Sequence, residues 1–205
     1  MPAEPDLILA TASPRRLELL ERVGLVPLVV PADVDETPLD GEKPIDYARR
    51  VAGSKCDAIA GGPATQGRSL AVLGADTTVV VDDGILGKPV DETDARTMLG
   101  RLAGRRHEVV TAYRIRHLAR TVERAVTTAV FVRSLHPAEL DAYLASGEWR
   151  GKAGGYAVQG IAAAFVTELR GSVTNVVGLP LAEVLADLQA LGALPAYPRP
   201  GFEAA

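Results

Sequence analysis

The chain predicts an α/β fold in which a mixed β-sheet is covered by helices. Three observations predict it. Apolar strand-like runs alternate with segments of helical period along most of the chain. Two long strand-like runs, His107 to His117 and Thr121 to Val132, are joined only by Leu118-Ala119-Arg120, a link short enough for an antiparallel hairpin. The composition is globular: 205 residues, 47% hydrophobic but only 4% aromatic, so Val, Leu, Ala and Ile must build the core.

The elements follow in order. Asp6 to Ala10 reads as the first strand. Ser13 is a good N-cap and Pro14 fits the first helical position, so a helix runs from Pro14 to Val23 with Leu17, Leu20 and Val23 on one face. Leu25 to Pro31 reads as a second strand, and Ala32 to Lys43 as an acidic, irregular loop. Pro44 opens a helix to about Ala60, and Gly61 to Arg68 is a Gly/Pro/polar loop. Leu70 to Val81 is nearly all apolar, the pattern of a buried strand. Asp82-Asp83-Gly84 is a turn, and Ile85-Leu86 leads into Gly87-Lys88-Pro89.

Asp91 caps a helix whose apolar positions are Ala95, Met98, Leu99 and Leu102. After the two long strands, Pro137 to Ala145 reads as a helix. Trp149 to Gly160 is Gly-rich, Ala162 to Leu169 is a strand, and Leu179 to Leu191 is the last helix. The tail from Pro195 is Pro-rich and expected to be loosely held. No repeat is evident and no linker is polar enough to divide the chain. The expectation is one domain over 1–205, with a core of about 7–191 that has room for two lobes around a cleft.

Charge and cysteine content narrow the function. A net charge of −4 argues against a basic nucleic-acid or membrane-surface protein. One cysteine, Cys56, excludes an intramolecular disulfide framework and a Cys-rich zinc site, and is compatible with a reducing cytosol. No apolar run approaches the roughly 20 residues of a membrane span. Met1-Pro2-Ala3-Glu4-Pro5 lacks the basic and apolar regions of a signal peptide. A soluble cytoplasmic protein is expected.

Ser13-Pro14-Arg15-Arg16 places two arginines in a first helical turn, where the helix dipole favours acidic residues. A bound anion would reverse that conflict, because helix-start amides and two guanidinium groups make a phosphate cradle. The plainer alternative is two solvated arginines. Lys55 falls on the stripe Ala48, Ala52, Ile59, so it either snorkels to the surface or reaches an internal anion. Asp76 interrupts an apolar run and needs a cation, hydrogen-bond donors or a metal; a capping role at a strand end is the alternative. Gly74 and Thr77 beside it would permit close ligand approach and supply a hydroxyl.

Asp35-Glu36 is a second carboxylate source; joined to Asp76 it would suit Mg²⁺ or Mn²⁺, which prefer hard oxygen ligands. Lys88 sits on a constrained loop, but Walker spacing, a Gly-x-Gly-x-x-Gly motif and a Gly-x-Ser-x-Gly elbow are all missing. His107, His117 and His136 lack zinc spacing and read as structural or exposed, and Cys56 as a packing residue. In Lys152-Ala153-Gly154-Gly155-Tyr156-Ala157-Val158-Gln159-Gly160, glycines allow close approach to a ligand and the Gln159 amide can read a base edge. Cations, carboxylates and an amide together suit phosphoryl chemistry on a nucleotide. Residue types alone do not choose the bond cleaved.

The same segments resemble the Maf family of nucleoside triphosphate pyrophosphatases. The matches include Ala10 to Arg16 with Leu19-Leu20, Asp33-Val34-Asp35-Glu36, Lys55, Gly74-Ala75-Asp76-Thr77 and Leu86-Gly87-Lys88-Pro89. Further matches are Gly104 to Thr111, Ser146-Gly147-Glu148, Lys152 to Tyr156, Val158-Gln159-Gly160 and Asn175 to Pro180, all in family order from about Leu7 to Leu191. The resemblance implies an elongated mixed α/β sheet flanked by helices, similar to inosine triphosphate pyrophosphatases. It implies a cytoplasmic, homodimeric enzyme that hydrolyses a nucleoside triphosphate to monophosphate and pyrophosphate with a divalent cation. Asp76 would accept the proton of the attacking water. Arg15, Thr77 and Gln159 match positions linked to substrate selection; Ser13, Arg16, Glu36, Lys55 and Lys88 match the phosphate- and metal-binding set, with Glu36 or Asp76 on the metal.

Ser-Pro-Arg-Arg, Gly-Ala-Asp-Thr and the Gln-Gly ending resemble the branch acting on dTTP, UTP and modified pyrimidine triphosphates, as opposed to the branch preferring 7-methyl-GTP. Ala157 stands where glycine is common, and Tyr113 where a small apolar residue is usual. Maf proteins are also described as inhibitors of septum formation, so a nucleotide-binding regulator is the alternative expectation.

Overall fold

The computed structural model describes residues 4–194 and Tyr197. The expected tail from Pro195 otherwise lies outside the described residues. A seven-stranded mixed sheet is flanked by helices, in the order β2-β1-β3-β5-β6-β7 with β4 added to β3. The strands are β1 (Leu7–Leu9), β2 (Pro27–Val29), β3 (Ala71–Val81), β4 (Gly84–Leu86), β5 (Arg106–His117), β6 (Arg120–Val132) and β7 (Val166–Arg170). The helices are α1 (Pro14–Arg22), α2 (Pro44–Ile59), α3 (Glu92–Leu102), α4 (Pro137–Ser146), α5 (Val173–Val177) and α6 (Leu181–Ala190). Among the described residues, only the β1 pairings, to β2 and β3, are parallel; every other pairing there is antiparallel. At 12 and 13 residues, β5 and β6 each extend about 40 Å at the usual rise, which draws the sheet out in one direction.

Local chemistry explains most boundaries. Pro14, Pro44 and Pro137 open their helices, where a missing N–H costs nothing. Asp91 caps α3 by accepting from the Asp94 N–H at 2.8 Å. Asp82 and Asp83 both adopt left-handed backbone, φ 50° and 58°, which closes the tight β3–β4 hairpin. The β5–β6 turn is tighter than the sequence suggests: Arg120 already pairs with His117, leaving Leu118-Ala119 as the turn.

Two expectations need correction, and one short helix was not foreseen. Ser13 is extended as an N-cap should be, but its side chain makes no cap bond; its N–H instead donates to Thr11 Oγ1 at 3.2 Å. The run Ala162 to Leu169 is not one strand. Residues Ile161–Phe165 form a 3₁₀ turn and β7 starts at Val166. The short α5 lies in a stretch that carried no helical signal; Ser172 caps it from the Asn175 N–H.

The core forms on both faces of the sheet. Odd positions of β3 face two large clusters: Leu73 and Ala75 pack with α1, Tyr113, Ile115 and α6, while Val79 and Val81 pack with α3, Tyr143, Trp149 and Phe165. The other face meets α2 through Ala48, Ala52 and Cys56 against Val72, Val110 and Ala112. Cys56 is buried and Sγ-bonded to the Val72 carbonyl, the packing role expected of it.

Tyr113 has a structural explanation. Its buried hydroxyl donates to Asp187 of α6 at 2.6 Å, and Arg124 closes on the same carboxylate through two bonds of 2.7 Å. Asp187→Ala strands the Tyr113 hydroxyl in the core, while the half-exposed Arg124 head returns to water. The expected loss is about 1–3 kcal/mol of unfolding free energy. Urea denaturation checks it; a change below about 0.5 kcal/mol, the size of an ordinary surface substitution, would contradict the pinning of α6.

Candidate active site

A gap in the sheet creates the site. Along one edge of β3, β1 pairs only as far as Leu73 and β4 begins only at Val79. Between them Asp76, Thr77 and Thr78 border a cleft of about 590 Å³, a size suited to a nucleotide. Strand alternation sends Asp76 to the α2 face and Thr77 to the opposite face, so the cleft has groups from both sides of the sheet.

On the α2 face, Lys55 Nζ donates to Asp76 Oδ1 at 2.8 Å and pairs with Glu36 Oε1 at 2.8 Å. Lys55 and Asp76 are each only 6% exposed, so the lysine does not snorkel; its internal anions are these two carboxylates. Asp76 is mid-strand, not a strand-end cap. This approach is possible because β3 presents Gly74 to α2: a Cβ there would lie 2.5 Å from the Ala52 carbonyl oxygen and 2.5 Å from the Cys56 nitrogen.

Glu36 comes from the acidic loop, which is irregular but fastened. Tyr47 donates its hydroxyl to the Glu36 carbonyl at 3.0 Å, and Arg50 ties Thr37 and Glu42. Burial alone would raise the Glu36 carboxyl, but the Lys55 hydrogen bond and the charges of Lys55, Lys88 and Arg16 hold it below its ordinary value. Burial and the nearby Asp76 and Glu36 charges push the Tyr47 hydroxyl up to about 12, so it stays protonated and able to donate. Asp35 does not join the pair. It is exposed and accepts from the Thr37 N–H at 2.8 Å.

On the other face lies Arg16, 7% exposed. Its three bonds go to neutral acceptors: the Gly178 carbonyl at 2.8 Å, Thr11 Oγ1 at 3.0 Å and Thr77 Oγ1 at 2.9 Å. Thr77 is held in turn by Thr111 at 2.9 Å, which donates to the Asn175 carbonyl. Among the described residues no carboxylate lies in salt-bridge contact with Arg16. Burial lowers the tendency of this guanidinium to stay charged, Arg15 adds to the effect, and Asp76 and Glu36 oppose it from a distance. Arg15 lines the cleft too, and no hydrogen bond or ion pair among the described residues occupies it.

The remaining walls come from two loops. Lys88 is exposed at the rim, and its loop is joined to the Gly-rich segment by the Gly154 N–H to Gly87 carbonyl bond, 2.9 Å. Tyr156, Ala157, Val158 and Gln159 follow on the same wall. Tyr156 is buried with its hydroxyl 2.7 Å from His107 Nε2. Burial and neighbouring Arg106 depress His107 to about 4, so it is neutral at physiological pH. All three histidines have structural or surface positions: His107 against Tyr156, His117 between two backbone carbonyls, and His136 exposed as the backbone N-cap of α4.

The structure therefore brings together Ser13, Arg15, Arg16, Glu36, Lys55, Asp76, Thr77, Lys88 and Gln159 in one cleft. Four cations face two carboxylates there, an excess of positive charge in a chain of net charge −4. Such a cleft receives a polyanion. Tyr47 was not foreseen, and Thr11, Thr111 and Gly178 lie in segments that carry the family resemblance but were assigned no role. Tyr47 precedes the Ala48 stripe, but nothing in the sequence marks the Gly178 carbonyl as the partner of Arg16. Among the described residues no group of three or more His, Cys, Asp or Glu converges, so the two carboxylates do not form a complete metal cage. No helix among those residues is long and apolar enough to cross a membrane.

A protein of Cereibacter sphaeroides named dTTP/UTP pyrophosphatase is 50% identical over 192 residues, covering 93% of this chain and 97% of that protein. One of the same name from Sphingopyxis alaskensis is 51% identical over 190 residues, covering 92% and 97%. Another, from Geobacter metallireducens, is 47% identical over 196 residues, covering 95% and 100%. Residues 6–191 match the family model described as Maf-like protein, which takes in every segment of the cleft. The chain belongs to the Maf-like protein family.

Proposed function

We propose that the chain hydrolyses nucleoside triphosphates, dTTP and UTP foremost, to the monophosphate and pyrophosphate. The observation that carries this reading is Arg16, a buried guanidinium with only neutral partners, lining a cation-rich cleft beside a buried aspartate. A buried cation without an adjacent anion is costly and is relieved by an anionic ligand. The names of the relatives supply the substrate class.

In this reading Ser13, Arg15, Arg16 and Lys88 grip the phosphates. Lys55 occupies Oδ1 of Asp76, and Oδ2 accepts no hydrogen bond from the described residues. Oδ2 takes the proton of a water whose oxygen attacks the α-phosphorus. The α–β anhydride bond breaks and pyrophosphate leaves with its electron pair. Lys55 balances the carboxylate in the ground state and fixes its orientation. Arg15, Thr77 and Gln159 select the substrate, with the Gln159 amide offering both a donor and an acceptor to the base.

Glu36 and Asp76 also fit a divalent cation. They are two hard oxygen donors at a phosphate site, and Mg²⁺ or Mn²⁺ typically takes one or two carboxylates and completes its shell with water and substrate oxygens. When bound, such an ion would neutralise developing phosphate charge.

A panel of triphosphates assayed with Mg²⁺ or Mn²⁺ tests the substrate assignment. The expected result is the highest kcat/KM for dTTP and UTP. Faster cleavage of 7-methyl-GTP would overturn the base assignment and leave the reaction. Tight binding of every triphosphate without turnover would overturn the enzymatic reading in favour of a regulatory nucleotide-binding role in septum formation.

A further inference from the structure

The wall carrying Gln159 is suspended between two posts, one on α4 and one in the turn that follows it. Tyr143 donates its hydroxyl to the Gly155 carbonyl at 3.0 Å, just before the cleft-lining stretch from Tyr156 to Gln159. After them, Glu148 accepts from the Ile161 N–H at 2.7 Å and the Ala162 N–H at 3.2 Å. The carboxylate sits so close under the chain that a Cβ at Gly160 would run into it. Lys152 Nζ, at the loop entrance, donates to the Glu148 backbone carbonyl. The tip, including Gln159, is exposed, and no hydrogen bond from the described residues fixes the Gln159 amide.

We infer that Glu148 is a positioning residue for base selection, acting through Gln159 by anchoring the backbone immediately after it. The inference rests on the proposed reading of Gln159 as a base contact. The physical ground is simple. An exposed amide on a free loop offers its donor and acceptor at many distances, and so favours no base strongly. Two backbone amides held by one carboxylate place the Gln159 backbone, and with it the reach of the amide, relative to the cleft floor. Glu148 itself does not line the cleft and contacts no reacting group.

The test is a double-mutant cycle on selectivity, read as the ratio of kcat/KM for UTP to that for ATP. Gln159→Ala is expected to lower the ratio about tenfold, the equivalent of one good hydrogen bond. Glu148→Ala is expected to lower it to a similar value, and the double variant no further, because both changes remove the same contact. Glu148→Gln, which keeps one acceptor oxygen, should fall between wild type and Glu148→Ala. A loop that only supports the fold would instead lower thermal stability and scale both substrates equally.

The outcomes separate the claims. If wild type does not cleave UTP, the proposed function fails and this inference with it. If Gln159→Ala keeps the wild-type ratio, the base-contact reading and this inference fail together. If Gln159→Ala loses selectivity but both Glu148 variants retain it, or the double variant shows additive losses, the positioning role of Glu148 alone is overturned.

Discussion

Asp76→Asn should lower kcat by about 10²–10⁴-fold, the usual cost of losing a general base. The substitution is nearly isosteric, and the amide oxygen can still accept from Lys55, so the 2.8 Å bond that joins β3 to α2 survives. Lys55 also retains Glu36. The variant should therefore stay folded and bind triphosphate, with KM changed far less than kcat. That split is the signature of an interaction used in the transition state and little in the ground state. Steady-state kinetics with UTP, alongside thermal unfolding, checks it. Wild-type kcat in a folded variant would mean that Asp76 is not the proton acceptor.

Gly74→Ala should be the most damaging single methyl group near the site. The added Cβ meets backbone on both contacts, the Ala52 oxygen and the Cys56 nitrogen at 2.5 Å, so no flexible side chain can yield. Relief requires α2 to move off the sheet. Overpacking of this kind typically costs about 1–3 kcal/mol, and in a chain of this size each kcal/mol lowers Tm by about 2–4 °C. The same movement carries Lys55 away from Asp76, and a displacement near 1 Å at reacting groups can cost about 10²-fold in rate. Loss of activity should therefore accompany loss of stability. Gly100 on α3 is the control, because nothing lies within 4 Å of a Cβ there. Gly100→Ala should be neutral or slightly stabilising. Equal Tm values for Gly74→Ala and wild type would contradict the tight α2–β3 approach.

The features legible in the sequence were those whose cause is local. β3 declares itself by an apolar run, α3 by helical spacing and a capping aspartate, and the β5–β6 pair by a link too short for anything but a hairpin. Lys55 and Asp76 were visible as charges in apolar surroundings. Their partnership was not, because 21 positions separate them and only the α2–β3 packing joins them. Arg16 shows the limit more sharply. Its helix-start position suggested an open phosphate cradle with Arg15, yet it is buried and held by Gly178, 162 positions away. The same limit explains the misreading of Ala162 to Leu169. An apolar run cannot reveal that its first amide, and the Ile161 amide just before it, are claimed by a carboxylate 14 and 13 positions earlier, which favours a turn over an extended strand. Tyr113 stands in the same class: its reason is Asp187, supplied by the last helix.

The most direct measurement is phosphorus NMR of the products formed from UTP by the wild-type protein with Mg²⁺. UMP and pyrophosphate should form in equal amounts, with no free phosphate. UDP with inorganic phosphate, or bound UTP that persists unchanged, would contradict the proposed hydrolysis.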